Sequence, residues 1–341
     1  MAIELDLNEA ASRLAAAGRV VVTTHARADA DAIGSATALA RVLRQRGAYA
    51  TAWLHEPAPP PYAFMVEGEN VAVWSEAPDA SLSRAGQDAL NTADLIVIVD
   101  TCARSQLGGV VDAIVASRAA KLAIDHHKTR DPIVDAWLID ESAGACAQIL
   151  TQLFDSEDWT IDPTTATLLF CGLTTDTGWF RFSNADAGVF AAAARLIECG
   201  VKPNELYERL FLNESIPRAR LIGAVMSSFR TEADGRLAII RITREMLAAC
   251  GATSAMTENM INEPQRVGRV MAAVMLVEPE SPGPIRLSLR SKRDVDVAAI
   301  CAKWGGGGHA RAAGVRIDGS IEDVERQVVA AMVEAIDSMA S

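Results

Sequence analysis

The chain has 341 residues, of which 50% are hydrophobic and 22% are charged, a composition typical of globular proteins rather than disordered chains. This length favours two domains. The net charge of −12 argues against a protein that coats long nucleic acid, because neutralising many phosphates requires a broad basic surface. Any anion-binding surface is therefore expected to be local.

The first residues and the cysteines indicate the compartment. Residues 1–9 contain early acidic residues and no uninterrupted apolar stretch, so we expect no secretory signal. The apolar runs elsewhere are short or broken by charge, so we expect no transmembrane helix. The six cysteines form no CxxC pair and no zinc-finger spacing, which indicates small core residues in a reducing compartment. These features predict a cytoplasmic protein without membrane contact.

Residues 1–200 alternate between strand-like and helix-like segments. Runs of β-branched or fully apolar residues predict strands at Arg19–Thr24, Tyr49–Leu54, Leu95–Val99 and Lys121–Ile124. Helices are predicted at Ala32–Arg46 and Ser142–Phe154, with a further apolar segment at Ala166–Leu173. Short apolar strands alternating with helices are typical of a doubly wound α/β domain with a parallel sheet.

The pattern changes around residues 201–220, a polar helical stretch that we interpret as a connector. Residues 221–341 then mix predicted strands with predicted helices, which indicates a smaller mixed α/β domain. The strands are predicted at Leu237–Ile242, Val270–Val277 and Ile285–Leu289, and the helices at Thr257–Arg266, Val295–Lys303 and Ile321–Met339.

Chemically active residues follow the apolar segments of the first domain. His25, Asp29 and Asp31 lie in the loop after the first predicted strand. Asp29 taken alone could equally be a helix N-cap, but capping does not explain His25 and Asp31 as well. Asp100 directly follows Leu95–Val99, the position where α/β folds place ligand groups, although a turn-capping role explains a single Asp there better.

The same pattern recurs twice more. Asp125, His126 and His127 follow another predicted strand, and two adjacent histidines beside an aspartate favour a binding site over a surface loop. Asp176 follows the segment Ala166–Leu173, which is by itself no stronger a signal than a cap. Together, the four segments are expected to bring these side chains to one edge of the sheet.

This set of residues is suited to two divalent metal ions. Asp29, Asp31, Asp100 and Asp176 carry −4, which two divalent cations neutralise. Imidazole and carboxylate ligands without thiolate favour Mn²⁺, with Mg²⁺ or Zn²⁺ as alternatives. One carboxylate would bridge the ions, and Asp125 could orient a histidine ligand. The expected reaction is metal-assisted hydrolysis of a phosphoester.

A glycine-rich motif in the second domain is suited to binding an anion. Successive glycines from Gly305 to Gly308 allow backbone amides to approach a phosphate closely, and His309 and Arg311 can add charged contacts. A flexible linker is the alternative, although such a linker rarely ends in His-x-Arg before a strand. Because successive side chains of a strand point to opposite faces, we expect Arg290 to share a face of its strand with Arg286 and Ser288.

These motifs, spread from about residue 20 to residue 315, resemble the DHH phosphoesterase family in its DHH–DHHA1 form, specifically the nanoRNase and pAp-phosphatase branch. The resemblance implies that His25, Asp29 and Asp100 hold one Mn²⁺. It implies that Asp31, Asp100, His126 and Asp176 hold the other, with Asp100 bridging. By the same resemblance, His127 contacts the scissile phosphate and assists leaving-group protonation. The nucleotide-binding residues would be Arg290, Gly306, Gly307, Gly308, His309 and Arg311, with closure of the two domains completing the site.

The resemblance implies an enzyme acting on very short oligoribonucleotides and on 3′-phosphoadenosine 5′-phosphate (pAp). A phosphodiesterase for cyclic di-AMP or the linear dinucleotide pApA is a close alternative. A pyrophosphatase is disfavoured by the glycine motif, and a longer-strand exonuclease by the absence of room for a further nucleic-acid-binding domain. A non-catalytic nucleotide sensor is disfavoured because all six metal-ligand positions hold competent residues. The oligomeric state stays open, a homodimer included.

Overall fold

A computed structural model describes residues 2–74, 82–292 and 295–338. Within it the chain forms two compact units, residues 1–212 and 213–341. The boundary between the units falls inside the predicted connector, and the chain on both sides of it is helical. Every helix among the described residues is too short or too polar to cross a lipid bilayer.

The N-terminal unit is built on one seven-stranded parallel sheet. Its strands are β1 (Ile3–Glu4), β2 (Arg19–Thr23), β3 (Tyr49–Leu54), β4 (Val71–Val73), β5 (Leu95–Val99), β6 (Ala120–Asp125) and β7 (Ala136–Ile139). The helices are α1 (Leu7–Ala16), α2 (Ala30–Gln45), α3 (Arg84–Thr92), α4 (Val111–Ala116), α5 (Cys146–Ser156), α6 (Pro163–Asp176), α7 (Ala187–Glu198) and α8 (Pro203–Phe211).

The strand order β1-β7-β6-β5-β2-β3-β4 shows the doubly wound topology. From β2 the chain winds outward through β3 and β4, and from β5 it winds in the opposite direction through β6 and β7. The two halves meet where β2 pairs with β5. Open α/β sheets bind ligands outside the carboxyl ends of the strands at such a switch point.

Helices cover both faces of this sheet, which explains why its central strands are apolar throughout. Alternate residues of β5 face opposite cores: Val97 packs with α1, α2, α5 and α6, whereas Ile96 and Ile98 pack with α3 and α4. All five β5 residues are buried. A strand buried on both faces reads as a continuous apolar run, as the sequence predicted for Leu95–Val99.

Helices α2 and α6 approach each other closely because each contributes a glycine to the contact. A Cβ added to Gly172 of α6 would overlap the Asp31 carboxylate and lie 2.9 Å from the Asp31 Cα. A Cβ added to Gly34 of α2 would overlap the Leu168 carbonyl. The contact therefore depends on hydrogen atoms at both positions, and it sets the distance between the start of α2 and the end of α6.

The segment containing Ala166–Leu173, which was expected to reach the sheet edge as the strands do, is part of helix α6. Its residues are apolar because this part of α6 is buried between α2, α5 and α7, and an apolar run of this length does not distinguish a buried helix from a buried strand. The helix predicted at Ser142–Phe154 begins at Cys146 instead, after a loop.

The C-terminal unit contains a six-stranded mixed sheet of order β12-β13-β11-β10-β9-β8, in which only β9 and β10 pair in parallel. Its strands are β8 (Arg230–Glu232), β9 (Leu237–Ile242), β10 (Ala272–Val277), β11 (Ile285–Ser291), β12 (Gly307–His309) and β13 (Ala312–Ile317). The helices are α9 (Ile216–Ser228), α10 (Arg244–Cys250), α11 (Asn262–Gln265), α12 (Val297–Ala302) and α13 (Ile321–Ser338).

One of the helices predicted for this unit is much shorter in the structure. The helix predicted over Thr257–Arg266 is reduced to the single turn of α11, preceded by a 3₁₀ turn at Ser254–Thr257. Asn259 has a left-handed backbone conformation (φ 60°), and Pro264 lacks the amide hydrogen that a continuous helix needs, so the predicted helix is interrupted. The terminal helix ends at Ser338, and the last predicted residue, Met339, lies outside the described residues.

We expect Gly172→Ala to destabilise the N-terminal unit by roughly 1–3 kcal/mol, because the added methyl group overpacks the α2–α6 contact at Asp31. Urea denaturation followed by circular dichroism measures this loss. Gly223→Ala is the matched control, since Gly223 is also helical but a Cβ there meets nothing within 4 Å. The control should be neutral or more stable by up to about 1 kcal/mol. Equal stability of the two variants would contradict the close-contact argument.

Candidate active site

Four charged residues meet at the carboxyl edge of the parallel sheet. His25 lies just beyond β2, Asp100 directly follows β5, and His126 directly follows β6. These strands are neighbours in the sheet, so their ends are adjacent. His25 Nε2 lies 3.4 Å from Asp100 Oδ2, and His126 Nε2 lies 3.3 Å from Asp100 Oδ1. Asp176 Oδ2 lies 3.3 Å from the same His126 nitrogen.

Asp100 is the centre of this group. Its side chain is only 2% exposed, and its backbone adopts a left-handed conformation (φ 62°) while its amide donates to the Ile124 carbonyl, 2.9 Å away. A non-glycine residue in that conformation is uncommon, although aspartate tolerates it better than most residues. Burial tends to raise the pKa of Asp100, but its contacts with His126 and His25 outweigh burial and lower the pKa.

Asp29 and Asp31 are placed by the start of α2. Asp29 is the N-cap of that helix, and its Oδ1 accepts hydrogen bonds from the amides of Asp31 (3.0 Å) and Ala32 (3.1 Å). The prediction that Asp29 is a helix N-cap is therefore confirmed. Asp29 also lies close to His25 and Asp100. One carboxylate oxygen of each aspartate and one ring nitrogen of His25 lie within 4.8 Å of one another.

Asp31 is fully buried and is held by the first turn of α5. Its Oδ2 accepts from the Cys146 amide (2.6 Å), and its Oδ1 accepts from the Ala147 amide (3.0 Å) and from Ser35 Oγ (3.1 Å). Amides at a helix N-terminus stabilise negative charge. Burial and the charges of Asp100, Asp176 and Asp29 nevertheless raise the pKa of Asp31 well above its ordinary value.

Two groups of ligand-like atoms lie on either side of Asp100. One group consists of His25, Asp29 and Asp100, and the other of Asp31, His126 and Asp176; within each group the atoms lie within 4.8 Å of one another. A third, overlapping group with the same spacing consists of Asp100, Asp125, His126 and His127. Asp100 Oδ1 and His126 Nε2 are buried and have no hydrogen-bond partner among the described residues. Buried polar atoms without partners are costly, and these point into the cluster.

The electrostatics of the cluster are unfavourable without cations. Burial and the charges of Asp100 and Asp29 raise the pKa of Asp176 to about 7. Burial lowers the pKa of His126, but its contact with Asp100 and the charges of Asp31, Asp100 and Asp176 outweigh burial and raise the pKa to about 9. His126 Nδ1 lies 3.2 Å from the Ala143 carbonyl and so carries a proton, which leaves Nε2 as the ligand atom. The residues present therefore fit divalent cations with mixed nitrogen and oxygen ligands.

Asp125 and His127 form a second arrangement beside the cluster. Asp125 is fully buried, and its Oδ1 accepts from His127 Nδ1 (2.8 Å) and from the backbone amides of His126 and His127. The hydrogen bond to Asp125 is the main reason that the pKa of His127 is raised. The His127 side chain is 47% exposed, so this imidazole faces solvent in a fixed orientation and can exchange protons with a ligand.

In the C-terminal unit, one face of the sheet is open over β11 and β13. Arg286, Ser288 and Arg290 share that face of β11, whereas Ile285, Leu287 and Leu289 point into the core, as the alternation predicted. Burial lowers the pKa of Arg290 and, together with the charge of Arg316, that of Arg286. Among the described residues, no carboxylate forms an ion pair with these three arginines.

A cavity of about 600 Å³ lies on this face. Its lining residues are Arg286, Leu287, Ser288, Trp304, Gly305, Gly306, Gly307, Gly314, Val315 and Arg316. Of the residues predicted to bind substrate, Gly306 and Gly307 line the cavity. Gly308, His309, Arg290 and Arg311 do not, and His309 and Arg311 are exposed around the β12–β13 turn.

Comparison with known proteins identifies both units. Residues 19–173 match the N-terminal domain of the DHH family, and residues 244–340 match the DHHA1 domain. The chain is 30% identical over 325 residues to the bifunctional oligoribonuclease and PAP phosphatase NrnA of Thermus thermophilus, covering 94% of this chain and 90% of that relative. The chain belongs to the DHH phosphoesterase family.

Two further comparisons agree with this membership. The cyclic-di-AMP phosphodiesterase PdeA of Listeria monocytogenes is 25% identical, over 92% of this chain and 47% of that relative. The crystal structure of an exopolyphosphatase-related protein from Bacteroides fragilis has the same fold, with a TM-score of 0.88, 21% identity, and coverage of 98% of this chain and 96% of that one.

The sequence analysis did not predict several residues that contact the cluster of histidines and aspartates. Backbone amides of Cys146 and Ala147 bind Asp31, and the Ala143 carbonyl binds His126; any residue type supplies these groups, so the sequence carries no signal for them. His55, at the end of β3, contacts the Thr24 carbonyl through Nε2 (3.0 Å) beside His25. Its position after a predicted strand was the available signal.

We expect Mn²⁺ added to metal-free protein to raise the melting temperature by several degrees, because the ions relieve repulsion between the clustered carboxylates. Differential scanning fluorimetry with and without EDTA measures the shift. Asp100→Asn should lose most of it, since Asp100 contacts ligands of both groups. Asp88→Asn, an exposed acidic residue of α3, is the control and should keep the full shift. A full shift in Asp100→Asn would overturn the assignment of Asp100.

Proposed function

We propose that this protein is a Mn²⁺-dependent phosphoesterase that hydrolyses short oligoribonucleotides and pAp, using two metal ions. The observation that carries the proposal is the pair of ligand groups at the sheet's switch point, on either side of the buried Asp100, which belongs to one group and lies 3.3 Å from His126 of the other. The relative from Thermus thermophilus, named a bifunctional oligoribonuclease and PAP phosphatase, supports the substrate class. The free thiols of all six cysteines suit a reducing compartment, so we place the enzyme in the cytoplasm.

In this proposal, His25, Asp29 and Asp100 hold one ion, and Asp31, Asp100, His126 and Asp176 hold the other. When bound, the two ions supply Lewis-acid stabilisation of the phosphoryl group and lower the pKa of a water molecule. Mixed imidazole and carboxylate ligands favour Mn²⁺ over softer metals, with Mg²⁺ as the alternative.

His127 is proposed to donate a proton to the leaving group. Asp125 fixes the imidazole through Nδ1 at 2.8 Å, and the hydrogen bond between them raises the pKa of His127, so the protonated form is more populated near neutral pH. A fixed imidazolium can donate its Nε2 proton to the departing ribose oxygen. Asp125 acts by positioning, since its side chain is fully buried.

The C-terminal unit is proposed to bind the nucleotide. Arg290, which has no carboxylate partner among the described residues, and the residues Gly306, Gly307, Gly308, His309 and Arg311 supply cations and exposed backbone amides for phosphate. The cavity beside them adds Arg286, Arg316 and the ring of Trp304, which suits a nucleotide with an aromatic base and a second phosphate. The overall charge of −12 favours short substrates, because few phosphates can be bound at once.

A length series tests the substrate class. With Mn²⁺, end-labelled RNAs of about 2, 3, 5, 10 and 24 nucleotides would be compared with pAp, cyclic di-AMP and pyrophosphate. We expect fast cleavage confined to the shortest RNAs together with phosphate release from pAp, and no turnover by Asp100→Ala. Preference for cyclic di-AMP or pApA would assign the protein instead to the activity named for the Listeria relative. Tight binding without hydrolysis of any compound would reject an enzyme.

We expect His127→Asn to lower kcat on a dinucleotide by about 10²–10³-fold, because the variant lacks the transferable proton. The Mn²⁺-induced melting shift should persist, since His127 belongs to neither proposed ligand set. Bis(p-nitrophenyl) phosphate, whose leaving group needs no protonation, should lose much less activity than the dinucleotide. An equal loss on both substrates would contradict the general-acid role.

A further inference from the structure

The segment Ala143–Ala147, which ends in the first turn of α5, contacts two ligands of one proposed metal ion directly and the third through Asn184. The segment Ala143–Ala147 accepts a hydrogen bond from His126 Nδ1 through the Ala143 carbonyl, 3.2 Å away. The Cys146 and Ala147 amides donate to the two carboxylate oxygens of Asp31, at 2.6 and 3.0 Å. Five consecutive residues thus orient two ligands that lie far apart in the sequence.

Asn184 connects the third ligand to the same segment. Its side-chain amide nitrogen lies 3.1 Å from the Gly144 carbonyl and 3.2 Å from the carbonyl of Asp176, so its two hydrogens can serve one acceptor each. Asp176 is the last residue of α6, where a helix leaves carbonyls without intrahelical donors. Asn184 therefore joins the end of α6 to the loop before α5.

The segment itself is fixed in place from two other directions. The Gly144 amide donates to Gln148 Oε1 at 2.8 Å, and Gln148 is buried. A Cβ added to Gly144 would lie 2.5 Å from Val189 Cγ2 and 3.0 Å from the Asn184 carbonyl oxygen. The loop is therefore packed against α7 and cannot shift without moving the groups that it holds.

The other proposed ion has different supports. Asp29 is held by amides of its own helix, those of Asp31 and Ala32. His25 contacts Asp100, and among the described residues neither His25 nor Asp29 hydrogen-bonds to the segment 143–147. The loop therefore serves the ligands Asp31, His126 and Asp176 and leaves the first group unaffected.

We propose that Asn184 is a positioning residue that, by joining the carbonyls of Gly144 and Asp176, sets the affinity of the metal site formed by Asp31, His126 and Asp176 and not that of the site formed by His25 and Asp29. This inference rests on the two-metal site of the proposed function. Groups that orient metal ligands from outside typically contribute about 10–100-fold in metal affinity. Asn184 belongs neither to the proposed metal ligands nor to the proposed nucleotide-binding residues, so its effect on turnover is expected to pass through metal occupancy.

Titration of metal-free protein with Mn²⁺ tests the proposal without any substrate. Isothermal titration calorimetry and electron paramagnetic resonance of free Mn²⁺ would be applied to the wild type and to Asn184→Ala. We expect two binding events in the wild type, of which one keeps its affinity in the variant and the other weakens about 10-fold. Turnover by the variant should fall at low Mn²⁺ and recover when Mn²⁺ is raised, with KM for the dinucleotide unchanged.

Asn70→Ala is the matched control. The Asn70 side-chain amide also serves two acceptors, the Ala50 carbonyl (3.1 Å) and Thr51 Oγ1 (2.9 Å), but these lie near the amino end of β3, at the edge of the sheet opposite to the cluster. It should leave both Mn²⁺ affinities unchanged. Gln148→Ala removes the acceptor of the Gly144 amide and should reproduce the selective weakening, which provides a second variant on the same loop.

The outcomes separate this inference from the proposed function. Two unchanged affinities in Asn184→Ala, or equal weakening of both, would overturn the positioning role while leaving the two-metal enzyme intact. A wild-type protein that binds a single Mn²⁺, or none, would instead overturn the two-metal proposal on which the inference depends.

Discussion

The N-terminal unit is organised around the Asp100 carboxylate, which lies almost fully buried at the switch point of the parallel sheet. Burying a carboxylate is costly unless positive charge lies next to it. His25 and His126 flank it at 3.4 and 3.3 Å, and both come from strands that neighbour β5. The sheet order is thus what allows this residue to remain charged, and the other carboxylates collect around it.

The surrounding structure supports the crowded carboxylates with directed backbone groups. Asp29 receives the first amides of α2, and Asp31 receives the first amides of α5. The glycine contact between α2 and α6 brings Asp176 close enough to His126 for the second group to form. Helix termini and close helix packing therefore produce a cluster that repulsion alone would disperse, which is the condition for holding divalent cations.

The two units divide the chemistry between them. Among the described residues, the groups of His and Asp side chains that could hold a metal ion lie in the N-terminal unit, whereas the open face of the C-terminal sheet carries arginines that have no carboxylate partner. A protein of net charge −12 thereby keeps a local basic surface. This separation of charge agrees with a substrate that carries few phosphates.

The sequence by itself determined four of the seven strands of the parallel sheet, the family, and which residues follow those four strands, because β-branched runs and ligand spacing are local properties of the chain. The short strands β1, β4 and β7 were not predicted. The sequence left Asp29 undecided between cap and ligand; the tertiary structure shows the cap and also places the Asp29 carboxylate within 4.8 Å of ligand-type atoms of His25 and Asp100. It also could not distinguish the buried helix α6 from a strand, since burial on all sides removes the periodicity. Only the folded chain decided that Cys146, Ala147, Ala143 and Asn184 contact the cluster, because each of these contacts uses a backbone group, which any residue type supplies and which leaves no local pattern.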